Sequence, residues 1–88
     1  MHSSKFIITG VVQGVGFRYH TKIKACSLGL TGFAKNLPDR SVEVVVTGQE
    51  EDIIALEAWL KKGPVMAKVA SISKESIDEV MSEGFEIL

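Results

Sequence analysis

The apolar period changes abruptly across Gln13-Gly14-Val15-Gly16-Phe17-Arg18, and no other feature of the chain limits its fold so strongly. Before this segment, Lys5 to Val12 is rich in β-branched and aromatic residues and sets Phe6, Ile8 and Val12 on one face, which predicts a strand. After it, from about Tyr19 to Leu28, the spacing turns helical. Tyr19, Ile23 and Cys26 form the expected core stripe, and Gly29 is the expected left-handed stop. A glycine-containing loop therefore joins a strand directly to a helix N-terminus.

The same alternation returns further on. Thr31 to Leu37 predicts a second strand with Phe33 as its large apolar residue, and Pro38-Asp39-Arg40 is turn chemistry. Ser41 to Thr47 is the clearest strand, with Val42, Val44 and Val46 on one face, Glu43 and Thr47 on the other, and Gly48 ending it. A second helix follows. Glu50, Glu51 and Asp52 suit its positive end, Lys61 and Lys62 its negative end, and Ile53, Leu56 and Leu60 its core stripe. Gly63-Pro64 closes it. Ala67 to about Glu75 reads as a fourth strand and Phe85 to Leu88 as a short fifth. The order β-α-β-β-α-β plus a short C-terminal strand predicts an α+β, ferredoxin-like split βαβ sandwich. Its two helices would cover one face of a mostly antiparallel sheet.

Composition narrows the partners. The chain has 88 residues, 45% hydrophobic and 24% charged, which suits one compact domain spanning residues 1–88. No apolar run approaches the roughly 20 residues needed to cross a bilayer, so no membrane partner is expected. Met1-His2-Ser3-Ser4-Lys5 lacks the apolar core of a secretory signal, and a lone cysteine, Cys26, fits a reducing cytoplasm. A net charge of −1 provides no basic field, so nucleic acid is a poor default partner. Nothing demands more than a monomer. No cluster of His, Cys, Asp or Glu has metal-ligand spacing, and neither a metal nor a cofactor is expected.

The loop itself suggests an anion. Backbone N–H groups at a helix N-terminus have no helical partner and carry partial positive charge. Gly14 and Gly16 permit the backbone angles of a concave nest, and Arg18 closes the segment with a planar charged fork that matches phosphate oxygens. By spacing alone, a glycine turn followed by a solvated arginine is slightly the better reading. A dinucleotide fingerprint needs glycine where Tyr19 stands, and no Gly-Lys-Ser/Thr of a P-loop occurs.

The wider pattern tips that balance. Gly10-x-Val12-Gln13-Gly14-Val15-x-Phe17-Arg18 resembles the first signature of the acylphosphatases. Gly32-Phe33-Ala34-Lys35-Asn36 resembles the second, with Ser41-Val42-Glu43, Gly48, and then Gly63-Pro64 with Ala67 and Val69 in the expected order. The resemblance implies metal-independent hydrolysis of the carboxyl–phosphate bond of acyl phosphates, with inorganic phosphate or sulfate as a site ligand. It also implies that Gln13, Gly14, Val15, Gly16, Phe17 and Arg18 form the phosphate-binding loop, and that Asn36 positions the attacking water. Topology is consistent with that pairing: if the first two strands run parallel, their C-terminal ends share one end of the sheet. Arg40 stands where the family usually has glycine, which puts the hairpin turn type in question.

The remaining polar residues read more simply. His20 takes a structural or peripheral role and His2 a place in a mobile terminus. Cys26 is expected as a small core residue rather than a nucleophile. Lys22, Lys24 and Lys35 are as readily solvated lysines as a positive surround for the site. Two alternatives remain on the same fold. An RNA-recognition module needs exposed aromatics that the third strand lacks. A non-hydrolytic acyl- or carbamoyl-phosphate-binding domain, of the kind found at the start of larger maturation enzymes, is the stronger rival, although no zinc motif follows.

Overall fold

The computed structural model describes residues 1–78 and 82–88. Its elements are β1 (His2–Val11), α1 (Phe17–Ser27), β2 (Thr31–Asn36), β3 (Val42–Gly48), α2 (Glu50–Leu60), β4 (Lys68–Ile77) and β5 (Phe85–Ile87). The strands form one sheet in the order β4-β1-β3-β2-β5, antiparallel except for the parallel β2–β5 pair. This is the ferredoxin-like α+β arrangement that the element order predicts.

Period-two patterning decides which face of the sheet is covered. Phe6 and Ile8 of β1, Ala34 of β2 and Val42, Val44 and Val46 of β3 are fully buried. They form one core with Phe17 and Ala25 of α1 and Ile53, Leu56 and Leu60 of α2. Both helices therefore lie on the same face. On the other face Val45 and Thr47 are buried as well, although the alternation assigns Thr47 to the outer side. Central β3 accounts for this, because Val45 pairs with Lys5 on one flank and Phe33 on the other. Cross-strand neighbours shield a central strand in a way that an edge strand does not experience.

The core stripe of α1 differs from the sequence reading. Phe17, Thr21 and Ala25 face the sheet, whereas Tyr19, Ile23 and Cys26 are exposed. The helix begins two residues earlier than the apolar spacing suggests, and burial of Phe17 sets its rotation. Spacing of four then carries Thr21 and Ala25 inward. Burial of Phe17 thus outweighs the more apolar stripe and brings two small residues inward with it. His2 is likewise no loose terminus: it opens β1 opposite Gly48 and lies 4.0 Å from Glu50.

Close backbone approach explains two glycines. A Cβ on Gly32 would lie 1.8 Å from the Val45 carbonyl oxygen, and one on Gly10 would lie 2.1 Å from that of Lys68. Gly10 sits where the β1–β4 register shifts, with Thr9 opposite Ser71 but Gly10 opposite Val69. At the β2–β3 turn, Arg40 takes the left-handed conformation, φ 75°. The turn is held by Asp39 Oδ1, which accepts from the hydroxyl and the backbone N–H of Ser41. Those bonds hold the Asp39 carboxyl below its ordinary value of 3.8, so their contribution is complete above that pH and fades on further acidification.

Two stability changes follow. A side chain in the left-handed region costs about 1–2 kcal/mol, and glycine's extra unfolded freedom cancels part of any gain. Arg40→Gly should therefore raise stability by about 0.5 kcal/mol, read as a shift in the urea midpoint at constant slope. The Thr21 hydroxyl is buried with no hydrogen-bond partner among the described residues. Thr21→Val should stabilise by about 1 kcal/mol and raise Tm by several degrees, because it removes a desolvated polar group at nearly constant shape.

Candidate active site

The site lies where the two parallel strands end. Ile8 of β1, Val42 of β3 and Asn36 of β2 stand level across the sheet. Since β3 is antiparallel to both neighbours, β1 and β2 leave the sheet at the same end. Asn36 follows Gly32 and Ala34 on the helix-covered face.

Between β1 and α1 the chain turns through Gly14 and Gly16, both left-handed at φ 76°. Gly16 is the N-cap of α1, and its carbonyl accepts the first helical bond from the His20 N–H at 3.0 Å. The N–H groups of Gly14 through Tyr19 donate to no protein acceptor among the described residues. A run of unpaired amides at the positive end of a helix is an anion-binding concavity.

A cavity of about 150 Å³ opens there, lined by Val12, Gly14, Gly16, Phe17, Arg18, Tyr19, Asn36 and Ile87. It joins the loop to Asn36 across 18 or more residues of sequence, as the parallel topology requires. Arg18 Nη1 donates to the main-chain oxygen of Leu88 at 2.6 Å, which fixes one corner of the guanidinium and leaves the rest of the fork without a protein partner among the described residues. Asn36 Oδ1 is buried with no hydrogen-bond donor among the described residues. A buried carbonyl left unpaired costs about 1–3 kcal/mol.

Gln13 and Val15 do not line this cavity. Gln13 Nε2 donates to the carbonyls of Leu37 and Ser41, both at 2.9 Å. Both amide hydrogens are thus committed to the mouth of the β2–β3 hairpin, one residue beyond Asn36. The side chain ties the loop to the strand that carries Asn36. His20 packs edge-on against Tyr19, with ring centroids 5.5 Å apart, and stays outside the cavity. None of Lys22, Lys24 and Lys35 lines it, and Lys35 points to the opposite face of β2 from Asn36. Among the described residues, no three of His, Cys, Asp and Glu come together as a metal site. Sequence reasoning missed Tyr19 and Ile87 as cavity residues. Tyr19 was legible only with the helix rotation in hand, and Ile87 only with the parallel β2–β5 pairing.

The sheet order and the position of the cleft place the molecule in the ferredoxin-like α+β class. The Acylphosphatase family model matches residues 4–87, and the chain belongs to that family. It is 51% identical over 86 residues to an acylphosphatase of Vibrio cholerae serotype O1, a match covering 97% of this chain and 94% of that protein. The structure of an acylphosphatase from Coxiella burnetii superposes with a TM-score of 0.95 at 36% identity, covering 99% of this chain and 92% of the other. Full-length HypF, in a phosphate- and nucleotide-bound form, matches with a TM-score of 0.92 at 27% identity, over 99% of this chain but only 12% of its own. The chain is accordingly a hydrolase acting on acid anhydrides, cleaving the carboxyl–phosphate bond of acyl phosphates.

The Gln13 tie generates a prediction. Gln13→Met preserves length but removes both donors, so two hydrogen bonds between loop and hairpin are lost while the Leu37 and Ser41 carbonyls keep the backbone N–H of Arg40 and of Leu37. Stability should fall by about 1–3 kcal/mol, measured by urea denaturation.

Proposed function

We propose that hydrolysis takes place in the cavity at the end of β1 and β2, with the loop holding the phosphoryl group and Asn36 holding the water. The observation that carries this reading is the unpaired, buried Asn36 Oδ1 in the same cavity as Arg18 and the free loop amides. An acyl phosphate brings two negative charges to a site that offers backbone donors and a guanidinium. Each charge-assisted hydrogen bond contributes about 1.5–3 kcal/mol, and several together hold the group firmly. Inorganic phosphate or sulfate fits the same donors.

The amide oxygen of Asn36 accepts one O–H of the attacking water and so directs its lone pair at phosphorus. As the new P–O bond forms, the bond from phosphorus to the carboxyl oxygen breaks and its electron pair leaves on the carboxylate. One proton of the water stays on phosphate and the other passes to solvent. A carboxylate is a good leaving group and needs no proton donor, so positioning and charge stabilisation suffice. Arg18 and the amides act on charge that spreads over the equatorial oxygens in the transition state. On this reading, residues 1–88 act as one domain, as a monomer, in the cytoplasm and without metal.

The rival reading, an acyl- or carbamoyl-phosphate-binding domain that does not hydrolyse, rests on the likeness to HypF. That likeness spans a small part of HypF, at lower identity than the likeness to the Vibrio cholerae protein.

The assay is hydrolysis of benzoyl phosphate with a chelator present, and turnover should persist there. Asn36→Ala should lower kcat by ~10²–10³ while the inhibition constant of inorganic phosphate stays within about threefold. Arg18→Ala should instead weaken phosphate inhibition by at least about tenfold. Absence of turnover by folded wild-type protein would sink the enzymatic reading. A loss of phosphate affinity in Asn36→Ala as large as that in Arg18→Ala would remove the water-positioning role.

A further inference from the structure

The outward rotation of α1 leaves apolar surface beside the site. Tyr19 is 58% exposed and Ile23, one turn on, 49%; across from them on the β5 side Ile87 is 39% exposed and Leu88 50%. Singly such residues are ordinary, but Tyr19 and Ile87 line the same cavity as Arg18 and Asn36. The cavity therefore has two kinds of lining. Gly14, Gly16, Arg18 and Asn36 supply backbone amides, a guanidinium and an amide oxygen. Val12, Phe17, Tyr19 and Ile87 supply hydrocarbon and an aromatic ring, with Val12 and Phe17 buried at its base.

Both rim residues are held in place. The Tyr19 ring packs at 69° against His20. Ile87 precedes Leu88, whose N–H donates to the Ala34 carbonyl at 2.8 Å and whose carbonyl accepts from Arg18. One anchor thus serves both the guanidinium and the apolar wall beside it. Among the described residues Arg18 is the only cation lining the cavity, so once it is committed to phosphate a negative charge on the acyl group finds no cation beside it.

We propose that Tyr19 and Ile87 form the acyl subsite and select acyl phosphates whose acyl group is apolar, aromatic groups above all. This rests on the assignment of hydrolysis to the cavity. The acyl carbon is joined to phosphorus through a single oxygen, so its substituent has to lie within a few ångströms of the phosphoryl site. Tyr19 and Ile87 provide the exposed apolar surface that lines the cavity there. An aromatic acyl group covers the ring of Tyr19 and the side chain of Ile87, whereas an acetyl group is too small to span them.

The test compares kcat/KM for benzoyl phosphate with that for acetyl phosphate, alongside the inhibition constant of inorganic phosphate. The benzoyl-to-acetyl ratio should fall about tenfold in Tyr19→Ala and severalfold in Ile87→Ser, with phosphate inhibition within about threefold of wild type. Tyr19→Phe should keep the ratio, since packing of the ring and not its hydroxyl makes the contact. Competitive inhibition should follow the same order, benzylphosphonate losing more than methylphosphonate in Tyr19→Ala. An unchanged ratio in both Tyr19→Ala and Ile87→Ser, with both substrates still cleaved, overturns the acyl subsite alone. If wild-type protein cleaves neither substrate, the reading of the cavity as the reaction site falls with it.

Discussion

Strand β3 is paired along both edges, to β1 on one side and β2 on the other, and antiparallel to each. Val42, Val44 and Val46 are buried completely beneath the helices, which fixes the strand's face as well as its register. Because its two neighbours must then run parallel, the loop after Val12 and the amide of Asn36 emerge at the same end of the sheet. Everything the site does depends on that pairing. A slip of one residue in β3 would turn its valines outward and move Asn36 relative to the loop at the same time. The side chain of Gln13 then joins the two segments, loop to hairpin, with both of its donors.

The site is assembled from groups that folding leaves unsatisfied. Among the described residues the loop amides have no protein acceptor and the guanidinium is tied at one corner, and both are open to solvent; the buried carbonyl oxygen of Asn36, without a donor, costs stability in the free protein. Their strength lies in being already in place, so that no reorganisation is needed when charge develops on a bound phosphoryl group. Rigidity comes from core packing beneath the cavity and backbone pairing beside it. Phe17 anchors the start of α1 in the core and packs against Trp59 at 6.1 Å, while the Leu88 backbone bonds to both Ala34 and Arg18.

On the proposed assignment, phosphate and acyl groups would be recognised by different physics within one small cavity. Directional donors suit a compact tetrahedral anion, whereas an apolar rim is tolerant of shape and discriminates by contact area. The fold separates the two by rotating α1 so that Phe17 points inward and Tyr19 outward, two residues apart on one helix.

Much of this was legible in the linear order of residues. The switch from period two to period 3.6, the glycine pairs and the valine alternation specify the elements and their sequence, because each is a local property of a few neighbouring side chains. The carboxylates and core stripe of α2 were equally plain, since Ile53, Leu56 and Leu60 are its large apolar residues on one face. Local pattern could not choose the rotation of α1, where the apolar stripe Tyr19–Ile23 competes with Phe17–Thr21–Ala25. Only burial of Phe17 against the sheet decided it. Nor could it place Gln13, whose two acceptors lie 24 and 28 residues away, or Ile87, which reaches the cavity through a parallel pairing with β2. The sequence by itself determined which elements form and which family of motifs they carry. Tertiary structure decided which side chains meet, because contacts between distant segments depend on packing of the whole sheet and not on any local preference.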